Sequence, residues 1–113
     1  MKGAQHRYLS LSHEKRMRLV TGVTTVSSAG TRVQLNNVTN RVKFVKAKAL
    51  AGNSGVAYVG VSDVASTTGY ELSAGNEIEL NFGDFGGSVP ANVFYADAAT
   101  NSDKVCWTMI LEG

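Results

Sequence analysis

Apolar and polar residues alternate along most of the second half of this chain. Ile78, Leu80 and Phe82 alternate with Glu77, Glu79 and Asn81, the period-two signature of a strand with one buried face. Val105, Trp107, Met109 and Leu111 form a second such stripe. The opposite face of that segment, Cys106, Thr108 and Ile110, is also largely apolar, which predicts a central strand. Val93–Ala96 and Val56–Val61 read as shorter strands. Arg41 to Leu50 is the longest candidate. Val42 and Phe44 fit one face and Val45, Ala47 and Ala49 the other, so a β-bulge near Phe44 and Val45 is predicted to switch faces.

Turn chemistry separates these segments. Ala51-Gly52-Asn53-Ser54-Gly55 reads as a hairpin loop, Ser66-Thr67-Thr68-Gly69 and Ser73-Ala74-Gly75-Asn76 as turns, and Gly83–Ser88 as a longer connection. Short strands with turn signals every ten to fifteen residues or so predict an all-β protein, an antiparallel sandwich or barrel. Residues 1–30 differ. Tyr8–Ser12 alternates weakly and Arg16–Leu19 can alternate too, Ser12 could equally cap a short helix through Leu19, and the uncharged Thr/Ser/Val/Gly stretch Val20–Gly30 reads as an extended linker strand. The expected division is an N-terminal arm, residues 1–30, and a β-sandwich domain, residues 31–113.

Charge changes this picture more than composition does. The net charge is +2. Residues 1–48 hold ten Lys and Arg against Glu14 alone, a balance of +9, and residues 49–113 hold Lys104 against eight carboxylates, a balance of −7. Such asymmetry implies a basic surface with an acidic partner. In the arm, Tyr8, Leu9, Leu11, Met17, Leu19 and Val20 lie among Arg7, Lys15, Arg16 and Arg18, offering apolar anchors with charge for register and steering. Lys43, Lys46 and Lys48 extend the positive charge onto the first long strand. The expected binding surface is the arm plus one sandwich face, with the acidic remainder turned to solvent or to a neighbouring copy.

Chemistry-bearing constellations are sparse. His6 and His13 are seven residues apart, too far to share one helical turn, and lack neighbouring ligands for a metal. Glu77 and Glu79 fit a plain solvated strand face. Asp84-Phe85-Gly86 lacks the lysine and glycine-rich loop that a kinase site needs, and no phosphate-binding loop is present. Asn37-Val38-Thr39 spells a glycosylation acceptor but has no secretion signal before it. The single cysteine, Cys106, fits a small hydrophobe in a strand. No catalytic residue, metal or cofactor is expected, and no stretch is apolar enough for a membrane span. A nucleic-acid partner is the weaker reading of the lysines, because only Tyr8 and Phe44 stand among them for stacking. A sugar site built from Tyr58, Tyr70, Tyr95 and Trp107 is weaker still.

The turn Gly52-Asn53-Ser54-Gly55, the strand Val56-Ala57-Tyr58-Val59-Gly60-Val61-Ser62, the segment Thr68-Gly69-Tyr70-Glu71-Leu72-Ser73-Ala74-Gly75 and the closing Asn101-Ser102-Asp103-Lys104-Val105 together resemble small structural proteins of tailed bacteriophages. The likeness spans residues 42–112 or so and rests on turn formers and core valines. It implies a jelly-roll-like β-sandwich that decorates or cements a capsid, or serves in a head fibre, tail or connector. The expectation is therefore a non-enzymatic capsid decoration protein, made in the host cytoplasm and carried on the capsid surface. Its partners would be the major capsid protein and further copies of itself, most simply as a homotrimer. Its contacts would be Arg7, Tyr8, Leu9, Leu11, Lys15, Arg16, Met17, Arg18, Leu19, Lys43, Lys46 and Lys48.

Overall fold

A computed structural model describes residues 17–113, and these form an all-β domain of nine strands. The strands are β1 Met17–Val26, β2 Val33–Gln34, β3 Arg41–Ala49, β4 Ala57–Gly60, β5 Tyr70–Leu72, β6 Glu77–Asn81, β7 Val89–Pro90, β8 Tyr95–Ala98 and β9 Asp103–Glu112. Two short 3-10 turns, Phe82–Phe85 and Ala91–Val93, flank β7. A five-stranded sheet has the order β1-β9-β3-β6, with β7 also paired to β3. A four-stranded sheet has the order β2-β8-β4-β5. All pairings are antiparallel. Without the short β7, the other eight strands form two four-stranded layers, 1-9-3-6 over 2-8-4-5, the order of a jelly roll.

The core lies between the layers. Val26, Val42, Val45, Ala47, Val105, Met109 and Leu111 from the larger sheet meet Ala57, Val59, Leu72 and Ala96 from the smaller one, with Phe94 just before β8. The predicted stripes on β6 and β9 are present, and β9 is central, flanked by β1 and β3. The bulge is present as well, one or two residues earlier than its sequence position suggested. The β3–β9 register shifts between Val42 and Phe44. Lys43 is the extra residue, so Val42, Val45, Ala47 and Ala49 are all buried.

Two sequence expectations are corrected. The arm does not extend to residue 30. Met17–Val26 runs in unbroken antiparallel register with β9, from Met17 opposite Glu112 to Val26 opposite Asp103, so the second half of the expected arm is a sheet strand. The pairing links positions 77 to 95 residues apart, which local periodicity cannot reveal. Residues 51–55 are also not a hairpin loop. They carry the chain from β3 in one sheet to β4 in the other, because turn residues set chain reversal but do not dictate which strand is met next.

Buried polar groups tie the layers and loops together. Trp107 donates its indole N–H to Thr24 Oγ1 at 3.0 Å, and that hydroxyl donates to the Leu35 carbonyl at 3.2 Å. The buried Asp103 carboxylate accepts from the Ser54 and Gly55 amides at 3.0 and 2.9 Å. Asp97, also buried, accepts from Gly30 N at 2.9 Å. Asn53 acts as a side-chain strand, donating to Lys104 O at 2.8 Å and accepting from Lys104 N at 2.9 Å. Among the described residues no buried side-chain polar atom lacks a partner, as close packing requires.

Candidate protein-binding face

The surface that gathers sequence-predicted contacts is the outer face of the larger sheet. Odd-numbered residues of β1 and even-numbered residues of β9 point away from the core, because their neighbours Thr24, Val26, Val105, Trp107 and Met109 are buried. The register then lays out three rows across the strands. Leu19, Ile110 and Phe44 form an apolar row; Thr21, Thr108, Lys46 and Glu79 form the next; Val23, Cys106, Lys48 and Glu77 form the third. Met17, Leu19 and Val23 are 57%, 68% and 58% exposed, a concentration of large apolar side chains that a strand face in water does not require. A shallow open groove of about 410 Å³ runs over this face, lined by Thr21, Val23, Lys46, Lys48, Glu77, Cys106 and Thr108 with Gly22 and Trp107.

Charge on this face is mixed. Lys46 Nζ lies 3.2 Å from Glu77 and Lys43 Nζ lies 3.5 Å from Glu112. Glu77, Glu79 and Glu112 thus share the face with the lysines, which corrects the expected separation for these three of the eight carboxylates. Both pairs are well exposed, so each contributes about 0–1 kcal/mol.

The predicted contact residues divide three ways. Met17, Leu19, Lys43, Lys46 and Lys48 are brought onto or beside this one face, although β1 and β3 are separated by β9. Arg18 is exposed but lies on the opposite side of β1, opposite the inward-facing Leu111. Arg7, Tyr8, Leu9, Leu11, Lys15 and Arg16 lie outside the described residues. Val20, a suggested anchor, packs partly against the core. Sequence reasoning missed Val23, Phe44 and Ile110 as members of the face. The signal available is the apolar outer stripe of β9, which by itself implies only a central strand. It also missed Phe85, 89% exposed on the 3-10 turn at the end of β6.

Other candidates disperse. Trp107 is buried while Tyr58 flanks it from neither sheet face, lying outward on β4 of the other sheet, so the four aromatic residues do not line one sugar site. Cys106 is free and half-buried on the outer face rather than in the core. Among the described residues, no group of three His, Cys, Asp or Glu side chains is placed to hold a metal ion.

The motif residues that carry the phage resemblance have packing roles. A Cβ on Gly69 would stand 2.5 Å from Val64 Cγ2 and 2.9 Å from Tyr58 Cβ, and one on Gly55 would stand 2.5 Å from Thr100 Oγ1. Asn101 accepts from Ala29 N at 2.8 Å, and Ser102 takes the left-handed conformation that turns the chain into β9.

No family model matches the chain, and no curated protein matches it. Solved structures with a similar arrangement of strands include a protein of the disulfide-linked pili that form Bacillus endospore appendages. It is 14% identical over 87% of this chain and 89% of that one, with a TM-score of 0.44. An RmlC-like cupin from Desulfovibrio desulfuricans is 14% identical over 86% and 82%, with a TM-score of 0.42. The dTDP-4-dehydrorhamnose 3,5-epimerase of Bacillus anthracis is 14% identical over 100% and 62%, with a TM-score of 0.45. These are β-rich folds of pili, cupins and an enzyme alike, and at this distance they carry no argument about activity. The protein is defined by its own strand order: a jelly-roll β-sandwich with an apolar, lysine-edged outer face.

Proposed function

We propose that this protein is a non-enzymatic capsid decoration or cement protein of a tailed bacteriophage, binding the major capsid protein through the outer face of its five-stranded sheet and the segment before it. The observation that carries the reading is the row Leu19–Ile110–Phe44 beside Lys46 and Lys48. Apolar anchors at the centre of a contact with charged groups at its rim are what a protein partner uses. Glu77, Glu79 and Glu112 share the face with the lysines, and these carboxylates oppose a polyanion, which favours protein over nucleic acid. The phage resemblance of residues 42–112 supplies the setting. A ligand that binds only the assembled shell stabilises it by mass action, by about 3–4 kcal/mol per site at 100 to 1,000 times its Kd.

The test is co-sedimentation of the full-length protein with shells of the phage that encodes it. Leu19→Asp with Phe44→Asp is expected to weaken binding at least ~10-fold, since each change removes an interfacial anchor, and cryo-EM of particles is expected to find the domain on capsomers. Density on the tail or a fibre with bare capsomers would move the address to another virion component. Retention on DNA at physiological salt, with no shell binding, would sink the reading.

A further inference from the structure

The edges of the two sheets are unequally guarded. β6 ends the larger sheet with exposed Glu77 and Glu79. β7 has two residues, one of them Pro90; β2 has two; β5 has three, including the exposed Glu71. Shortness, charge and proline are the devices by which sheets avoid pairing with other chains. β1 has none of them over most of its length. It is a ten-residue edge strand with an unbulged register, and Leu19-Val20-Thr21-Gly22-Val23-Thr24-Thr25-Val26 holds no charge and no proline. Its β-branched residues suit an extended ladder. Among the described residues nothing pairs with its outer edge.

We infer that β1 is a self-pairing edge, joining two copies of this chain through an antiparallel β1–β1 ladder about a two-fold axis at Thr21. A two-fold contact uses the same patch twice, so the strand must complement itself, and in this register it does. Leu19 stands opposite Val23 of the second copy, Met17 opposite Thr25, and Arg18 opposite Thr24, so no charge meets its like. The outer faces fall on the same side, because odd positions oppose odd positions. The row Phe44–Ile110–Leu19 then continues into Val23 and Cys106 of the second copy, fusing two apolar faces into one. A closed three-fold ring would instead have to join β1 to a different edge, and the alternatives are short or guarded by carboxylates and proline. The pairing stands independently of shell binding.

Two measurements on the full-length protein test it. In a Cys106→Ser background, Thr21→Cys is expected to form a covalent dimer on oxidation with copper phenanthroline, since directly opposed strand residues have Cβ atoms about 4.5–5.5 Å apart, within a small backbone adjustment of the ~3.5–4.5 Å a disulfide spans. Thr25→Cys, far from its own copy in this register, is expected to stay monomeric on a non-reducing gel. In sedimentation, wild type is expected as a dimer. Leu19→Lys with Val23→Lys, and Leu19→Glu with Val23→Glu, should each be monomeric with the circular dichroism of wild type, and an equal mixture of the two should recover the dimer. A monomeric wild type, a dimer that survives both charge variants, or equal cross-linking at positions 21 and 25 would overturn the pairing. So would loss of the dimer on deletion of residues 1–16, which would assign the edge to that segment. Shell binding enters neither readout.

Discussion

The loop-rich stretches 52–69 and 97–105 and the outer face of the larger sheet contrast in what their residues are for. At the first, nearly every recognisable residue is spoken for: Asp103 caps two amides, Asn53 pairs with a strand, and Gly69 leaves room for Val64 and Tyr58. At the second, Leu19, Val23 and Met17 touch water and the lysines hold only exposed ion pairs. The residues that make the sequence look familiar therefore maintain the scaffold, while the candidate contacts lie where no motif draws the eye. Motif likeness in such a protein reports architecture; exposed apolar side chains mark where a contact is proposed.

Substitutions can break or sharpen that contrast. Asp103→Ala removes a buried carboxylate with its two charge-assisted hydrogen bonds to the Ser54 and Gly55 amides and should cost about 2–3 kcal/mol, read as a lower denaturation midpoint at unchanged slope. Gly69→Ala drives a methyl into Val64 and Tyr58 and should cost about 1–3 kcal/mol by the same measurement. Thr24→Val leaves the Trp107 indole N–H unpaired, and a loss of about 1–2 kcal/mol is expected, with a shift in tryptophan fluorescence. On the outer face, Lys46→Ala should change stability by less than about 1 kcal/mol. Leu19→Ser should stay within about 0.5 kcal/mol of wild type while weakening shell binding. A Leu19 variant as damaging as Asp103→Ala would erase the distinction between scaffold and contact surface.

Much of the scaffold was legible locally. Alternation located β6 and β9, the apolar outer stripe of β9 announced its central place, and the break in phase near Phe44 announced the bulge that Lys43 makes. What escaped was non-local. Val20–Val26 carries threonines and a glycine in place of a strong stripe, since Gly22 lies under the Trp107 ring, where a Cβ would stand 2.3 Å from it. Its strand identity depends on β9, far along the chain. The Gly52–Gly55 turn announced a reversal but not a change of sheet. The candidate face was half legible: the lysines were visible as charge, whereas their glutamate neighbours appear only when β6 and β9 pair with β3, and the alignment of Leu19 with Phe44 exists only after β9 is inserted between them.

That insertion governs how the chain folds. β9 is the last of the nine strands yet lies between the first and the third. Until it is synthesised, β1 has no neighbour in its sheet and β3 lacks one of its two flanks. A nascent chain short of Asp103–Glu112 therefore presents two uncapped hydrophobic ribbons, and closure must span nearly the whole sequence. Topologies of this kind fold on the slower, millisecond-to-second scale. During that interval an unguarded β1 is as available to a neighbour as it is to β9, so the same strand sets both the pace of folding and its chief hazard.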